Sequence, residues 1–433
     1  MHDLGSRGPS RLGWLFGIIL AIAVAVSSGC GGTASALGPT PTPNPSPTPV
    51  PTATPTPAPL PAGTIGLKVL DTSVPPGGIF QWQLSNTEPK PIGHGSTRPQ
   101  VPPGPVRGVA VNDPSGHAAG IAVVAPSGIS IQLTSPDNLL GTDVSYPVVT
   151  MSMPLSASLT PGATSTIGID KANTSLFQDA TTKYTTLEFA SGTLTIAPTG
   201  SPYVSDVIPG GGLLPDRSMI RILGANFDAN TRVSIEGTQI LSSDVSLINP
   251  GEIDVKICNG AADGVATCPN TGASFQLDGE RVRVKDQETN FVNEYYSYPR
   301  ADDAPGASKN TLVTEVHPMF SRQTFLAATV PLVNSGTQFT GLALQNTSGT
   351  DDGIKVELLD TNGASLTPAA TFSFILPGGN KIARDVIQDW FGGSVPAGAA
   401  KVRMTVTSGN VPIQALGMLG DNGAGTVAPV VPQ

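Results

Sequence analysis

The chain has 433 residues, room for roughly two to four domains at about 100 to 200 residues each. It is 39% hydrophobic and only 13% charged, with 50 Gly and 42 Pro, which argues against long charged helices and for short strands between turns. A formal net charge of -9 offers no broad basic surface to neutralise phosphates, so nucleic acid is not an expected partner and the charge reads as a solvated acidic surface.

The N-terminus "MHDLGSRGPSRLG" carries Arg7 and Arg11 ahead of the apolar run "WLFGIILAIAVAV" (Trp14 to Val26). That run is too short for a comfortable span of ~20 residues, so residues 1–29 read as an export signal. It ends in "SSGCGG", which resembles a bacterial lipobox and implies that Cys30 is lipidated after cleavage, as the only membrane attachment. Ser27 stands where such boxes carry an aliphatic residue, and plain secretion is the alternative. Either way the expected place is outside the cytoplasm: the cell surface or outer membrane, or the medium.

Residues 30–62 are a Pro/Thr-rich linker. Proline at nearly every second position from Pro39 to Pro61 fixes φ, removes donors and favours polyproline II, so the stretch is expected to be a stalk without a core. A ligand for Pro-binding modules is the other reading, but flanking basic residues are missing.

Residues 63–199 show period-two alternation in Ile65/Leu67/Val69, Trp82/Leu84, Ile129/Ile131/Leu133, Val149/Met151/Met153, Ile167/Ile169 and Leu194/Ile196, as half-buried strands of a sandwich do. The opening "VPPGGIFQWQL", then "EPKPIGHG", and the closing "ASLTPGATSTIGIDKANTSLF" and "LEFASGTLTIA" resemble a cohesin-like module of the carbohydrate-binding sandwich superfamily. The resemblance implies a dockerin-like extracellular protein or a polysaccharide as partner and assigns no receptor-face residues. With 5% aromatics, the candidates for sugar stacking are Trp82, Tyr146, Tyr184 and Tyr203, and a core role for Trp82 is the competing reading.

Residues 201–298 carry "V.P..G", "I.G.NF", a following "V.I.G" and a last strand ending in paired tyrosines, and look like an IPT/TIG immunoglobulin-like domain. Gly224 is expected at a tight turn or close approach, Asn226 to bond the turn backbone, and Phe227 to plug the sandwich end. Cys258 and Cys268, in "CNGAADGVATC", read as a disulfide stapling a loop rather than a metal site, since no His or further Cys stands nearby.

A linker, 299–310, leads to residues 311–430, which resemble a sandwich module common at the C-termini of exported bacterial repeat proteins. "LDTNGA" signals a hairpin turn through Asn362-Gly363 and also grazes a calcium-loop pattern, spoiled by Leu358 at an earlier ligand position. In "NKIARDVIQDWF", Ile382, Val386 and Trp390 recur at helical spacing, with Asn380 as the expected cap. The resulting helix closes a sandwich end or presents a Trp-centred binding face.

No catalytic, cofactor-binding or metal residues are assigned. Beyond His2 in the signal, His94, His117 and His317 fall in separate loop-like contexts without metal spacing, and no G-x-S-x-G or G-x-x-x-x-G-K motif occurs. Asp302-Asp303 and Asp351-Asp352 read as solvated turn charges rather than a glycosidase pair. The expected protein is thus all-β, with tandem immunoglobulin-like or jelly-roll-type sandwiches after a disordered stalk. Its expected function is non-enzymatic binding, adhesion or scaffolding at the cell surface; a purely structural surface protein and an exported hydrolase accessory subunit are the alternatives.

Overall fold

The computed structural model describes residues 59–433 except 114, 211–212, 215–217, 237, 241–243, 258–274, 278–280, 298–305, 308–314, 349 and 379. The signal, Cys30, most of the stalk, Cys258, Cys268 and Asp302-Asp303 therefore lie outside the described residues. The architecture is all-β, as the alternating pattern predicts, and residues 58–433 form one compact unit.

The first sandwich is built from β1 (Thr64–Val69), β2 (Thr72–Val74), β3 (Ile79–Asn86), β4 (His94–Thr97), β5 (Pro99–Gln100), β6 (Gly108–Val111), β7 (Ala119–Ala125), β8 (Gly128–Thr134), β9 (Val149–Pro154), β10 (Thr164–Ile169), β11 (Ser175–Phe177), β12 (Thr186–Ala190) and β13 (Gly192–Ile196). One sheet has the order β12-β1-β3-β9-β6, a smaller one β2-β13-β10-β5, and β11-β4-β8-β7 begins a third. Only β1 with β12 and β2 with β13 run parallel among these pairs. Inward residues of the alternating strands, among them Ile65, Leu67, Leu84, Ile131, Leu133 and Met151, form the core around Trp82. The wholly buried Trp82 donates its indole N–H to the Gly168 carbonyl at 3.0 Å, which settles it as an interior residue.

The second sandwich comprises β14 (Tyr203–Ile208), β15 (Leu213–Leu214), β16 (Met219–Ala225), β17 (Thr231–Ile235), β18 (Thr238–Gln239), β19 (Val245–Asn249), β20 (Glu252–Lys256), β21 (Phe275–Gln276), β22 (Arg281–Asp286) and β23 (Val292–Tyr296). Sheets β14-β16-β20-β19 and β18-β17-β22-β23 enclose Ile220, Ile222, Val233, Ile253, Val282 and Val284. A Cβ on Gly224 would stand 1.9 Å from the Tyr203 carbonyl oxygen, so a close approach of backbones requires glycine there. Asn226 takes a left-handed φ of 61° and donates its amide to the Ser201 carbonyl at 3.0 Å, while Phe227 is buried in the core.

The last strands are β24 (Gly306–Ala307), β25 (Glu315–Met319), β26 (Ala327–Pro331), β27 (Gln338–Gln345), β28 (Asp352–Leu359), β29 (Thr371–Leu376), β30 (Lys381–Asp385), β31 (Lys401–Ser408), β32 (Gln414–Asp421) and β33 (Thr426–Val430). Sheets β26-β31-β28-β29 and β30-β27-β32-β33 hold a third core of Leu342, Leu344, Ile354, Val356, Leu358 and Met404. The hairpin turn at Asn362-Gly363 is present: Gly363 has φ 85°, and Asp360 Oδ1 accepts the Asn362 and Ala364 N–H groups at 2.8 Å. The expected helix is not. Lys381–Asp385 is a strand paired with β27, and only Val386–Trp390 makes a single helical turn. Its cap is Asp385, not Asn380, accepting from Ile387 and Gln388 N–H. Five residues of edge pairing win over helical periodicity because Ile382 meets Leu344 across the ladder.

β24 and β25 do not join the third sandwich, although the sequence places 315–319 in the C-terminal module. β25 pairs antiparallel with β7, from Glu315 opposite Val124 to Met319 opposite Gly120, extending the first sandwich's sheet to β11-β4-β8-β7-β25-β24. The seam continues as a shared core: Ala119, Ile121 and Val123 of β7 pack with Ala343, Leu416, Met418 and Val427 of the third sandwich. The second sandwich is tied to the first by Ile79 of β3, which packs into its core, and by polar contacts. The buried Gln81 amide donates to the Tyr296 carbonyl at 3.0 Å and accepts its N–H at 2.7 Å, Arg107 donates to the Ser205 carbonyl at 3.1 Å, and Asn293 donates to the Ser73 carbonyl at 3.3 Å.

Candidate functional site

The outer face of the sheet β11-β4-β8-β7-β25 is divided in two. Strand alternation sends Thr97, Ile131, Leu133 and Ala122 inward, so His94, Ser96, Gln132, Thr134 and the β7 residues Ala119, Ile121 and Val123 point outward. The β7 half is apolar and covered by the third sandwich. The β11-β4-β8 half is polar and half-buried, with cross-strand rows Phe177, His94, Thr134 and Ser175, Ser96, Gln132. His94 stacks on Phe177 with centroids 4.2 Å apart and planes at 16°, and the exposed Lys183 ammonium lies 6.0 Å from the Phe177 ring. This strip combines an aromatic pair, a cation and hydrogen-bonding side chains on a rigid sheet, the kind of surface that can recognise a folded partner.

The histidines separate as expected, but two sit on strands rather than loops: His94 on β4 and the buried His317 on β25. His117 lies in the loop between β6 and β7, its Nδ1 2.7 Å from Asp137 Oδ2. Ser135 Oγ and the Leu139 N–H donate to Asp137 Oδ1 at 2.8 and 3.1 Å. Burial alone would raise the Asp137 carboxyl, but hydrogen bonds from Ser135, Leu139, His117 and Ser115 outweigh it and hold it below the ordinary 3.8. Ser115 Oγ donates to Asp113 Oδ2 at 2.7 Å, and the same carboxylate oxygen accepts the His117 and Ala118 N–H groups at 2.9 and 2.7 Å. Both hydroxyls beside the imidazole are thus committed to carboxylates, and the cluster organises two loops. A cavity of ≈ 40 Å³ beside it, lined by Asn112, Asp113, Arg322, Gln345 and Gln414 at the first and third sandwiches' seam, has room for a few waters and not for a sugar or peptide.

The remaining candidates divide between the interior and the surface. Tyr184 is buried, its hydroxyl donating to the Pro91 carbonyl at 2.7 Å, and its phenol is pushed up to about 12 by burial and then by Glu88. Tyr203 is half-buried against Gly77 and Tyr146 is half-buried in the loop before β9. Trp390 stacks on Phe374 and Phe372 at 5.6 and 6.0 Å, flanking the third core. Asp351 is exposed, as a turn charge should be, but Asp352 is not: its side chain is wholly buried and neither carboxylate oxygen has a hydrogen-bond partner. Dipeptide composition reads as turn, whereas Asp352 is the first residue of β28 and its side chain turns inward.

No known protein family matches the chain, and no curated protein matches it. Solved structures similar to part of it include cohesins. The third cohesin ScaC of Acetivibrio cellulolyticus, solved in complex with the ScaB dockerin, is 14% identical and matches over 31% of this chain and 99% of its own, with a TM-score of 0.27. For the Coh-OlpA-Doc918 complex of Clostridium thermocellum the values are 18%, 31%, 99% and 0.25. A non-cellulosomal cohesin of the archaeon Archaeoglobus fulgidus gives 10%, 31%, 92% and 0.26.

Proposed function

We propose that the chain is a non-enzymatic binding or scaffolding protein displayed outside the cell, held by a lipid on Cys30 and raised on the stalk of residues 30–62. In this reading 201–298 is an IPT/TIG domain, stapled by Cys258-Cys268, that with the C-terminal sandwich fixes the orientation of the cohesin-like first sandwich. The observation that carries it is the divided outer face: the apolar β7 half is used within the molecule, and the polar β11-β4-β8 half, with Phe177, His94, Gln132 and Lys183, is left to meet a ligand. A dockerin-like extracellular protein suits this strip better than a polysaccharide. In the first sandwich Trp82 and Tyr184 are interior and Tyr146 is half-buried in a loop away from the strip, whose aromatic pair stacks on itself.

The test uses the chain from residue 31 onward, immobilised, against a panel of purified dockerin modules and a panel of insoluble polysaccharides. Saturable capture of a dockerin, weakened at least tenfold by Gln132→Arg, is expected. Retention on polysaccharide alone, untouched by that substitution, would replace the protein partner with a glycan. Absence of both would leave a purely structural protein.

A further inference from the structure

We propose that the partner accepted by the β11-β4-β8 strip is an acidic protein surface, one carboxylate of which pairs with Lys183 at the strip's outer end; the inference rests on reading that strip as the binding face. One row across the sheet runs Lys183, Phe177, His94, Thr134, with Lys183 joined to Phe177 by a single bridge beyond the β11 edge. The neighbouring row is Ser175, Ser96, Gln132. Strand spacing of about 4.8 Å sets these groups at fixed intervals on a rigid face. The Phe177 ring, 6.0 Å from the Lys183 ammonium, favours a cation over the strip's end.

The hydrogen-bonding capacity of this face is unspent. Among the described residues, the side chains of Lys183, His94, Gln132, Ser96, Thr134 and Ser175 make no hydrogen bond or ion pair within the protein. Every one of them can donate, the imidazole in either protonation state. β4, β8 and β11 contain no Asp or Glu, although the chain has 32 such residues and a net charge of -9. The carboxylates in the connections beside the strip are already engaged. Asp179 Oδ1 accepts the Thr181 and Thr182 N–H groups, both at 2.8 Å, and these hold the carboxyl down at about 2. Asp170 Oδ1 accepts the Ala172 and Asn173 N–H groups at 3.1 and 3.3 Å, its Oδ2 accepts the Asn173 amide at 2.6 Å, and Arg98 attracts its charge. A donor-rich face with a free ammonium and no carboxylate of its own is complementary to acceptors and to negative charge. A basic partner would bring a second cation to Lys183 and leave the donors unmatched.

The experiment immobilises the chain from residue 31 and measures capture of purified dockerin modules ranging from acidic to basic, with soluble polygalacturonate as a carboxylate source that is not a protein. Acidic modules should be captured, with affinity falling at least fivefold between about 50 and 500 mM salt and at least fivefold on Lys183→Glu, whose exposed site leaves folding intact. Gln132→Trp fills the strip's centre without changing its charge and reports on the strip itself, so it should weaken capture as well. If Gln132→Trp weakens capture but Lys183→Glu and salt do not, or if basic modules are preferred, the acidic partner is overturned and the strip survives as the binding face. Capture unaffected by Gln132→Trp, or capture of no module, overturns both. Capture of polygalacturonate alone overturns the protein partner.

Discussion

Ile121 gives the sharpest test of how the sandwiches are joined. It points out of the first sandwich's sheet, yet it is 0% exposed because the β27-β32-β33 layer lies over it. Ile121→Ala removes three carbons; at about 0.8 kcal/mol per buried methylene, with a cavity contribution added, the loss is about 3 kcal/mol. An outward residue of an uncovered sheet would lose less than about 0.5 kcal/mol. Leu416 sits in the same cluster on the opposing layer, so the Ile121→Ala and Leu416→Ala effects should fail to add by about 0.5 to 1.5 kcal/mol. Urea unfolding of wild type, both single variants and the double variant measures all four corners. A cost under about 0.5 kcal/mol for Ile121→Ala, with strict additivity, would refute the shared core.

Two further outcomes follow from single side chains. Arg403 first, then Ser365 and Lys355, hold Glu357 down from the ordinary 4.5 to about 2, so its stabilisation is complete above pH 4.5 and is lost as pH falls towards 2. That fall is worth at most roughly 3 kcal/mol, and solvent at the partly exposed Arg403 and Lys355 brings it to the order of 1 to 2. Glu357→Gln should therefore be destabilised at neutral pH and converge on the wild type as the pH approaches 2; a gap constant with pH would contradict the pairing. Gly224→Ala drives a methyl into the Tyr203 carbonyl and should cost about 2 to 4 kcal/mol by denaturant unfolding, and a neutral result would show that β14 and β16 can part there.

Much of the fold was legible because strands with one wet face alternate. Ile65, Leu67, Trp82, Leu84, Met151, Ile167 and Leu194 are all buried where the period of two places them. β7 escaped because "AGIAVVA" does not alternate: its inner face meets the first core and its outer face the third sandwich, so both are apolar. The partnership of β25 with β7 was hidden for a related reason, since nothing local encodes a pairing between Met319 and Gly120. The proposed binding strip was illegible because it depends on how far the third sandwich covers the sheet. Asp352 was misread because Asp-Asp beside Gly signals a turn, while its side chain turns inward against Gly409, which lies far along the chain.

The central claim, that the β11-β4-β8 strip is the surface the molecule presents, is tested most directly by mapping capture onto it. Ligand binding by the chain from residue 31 onward would be compared among wild type, the His94→Ala/Gln132→Arg double variant and a control at the exposed Glu188 on β12, Glu188→Arg. The account predicts affinity lowered at least tenfold by the strip variant and unchanged by the control, with wild-type unfolding curves for both. Equal affinity in all three, or loss confined to Glu188→Arg, would contradict it.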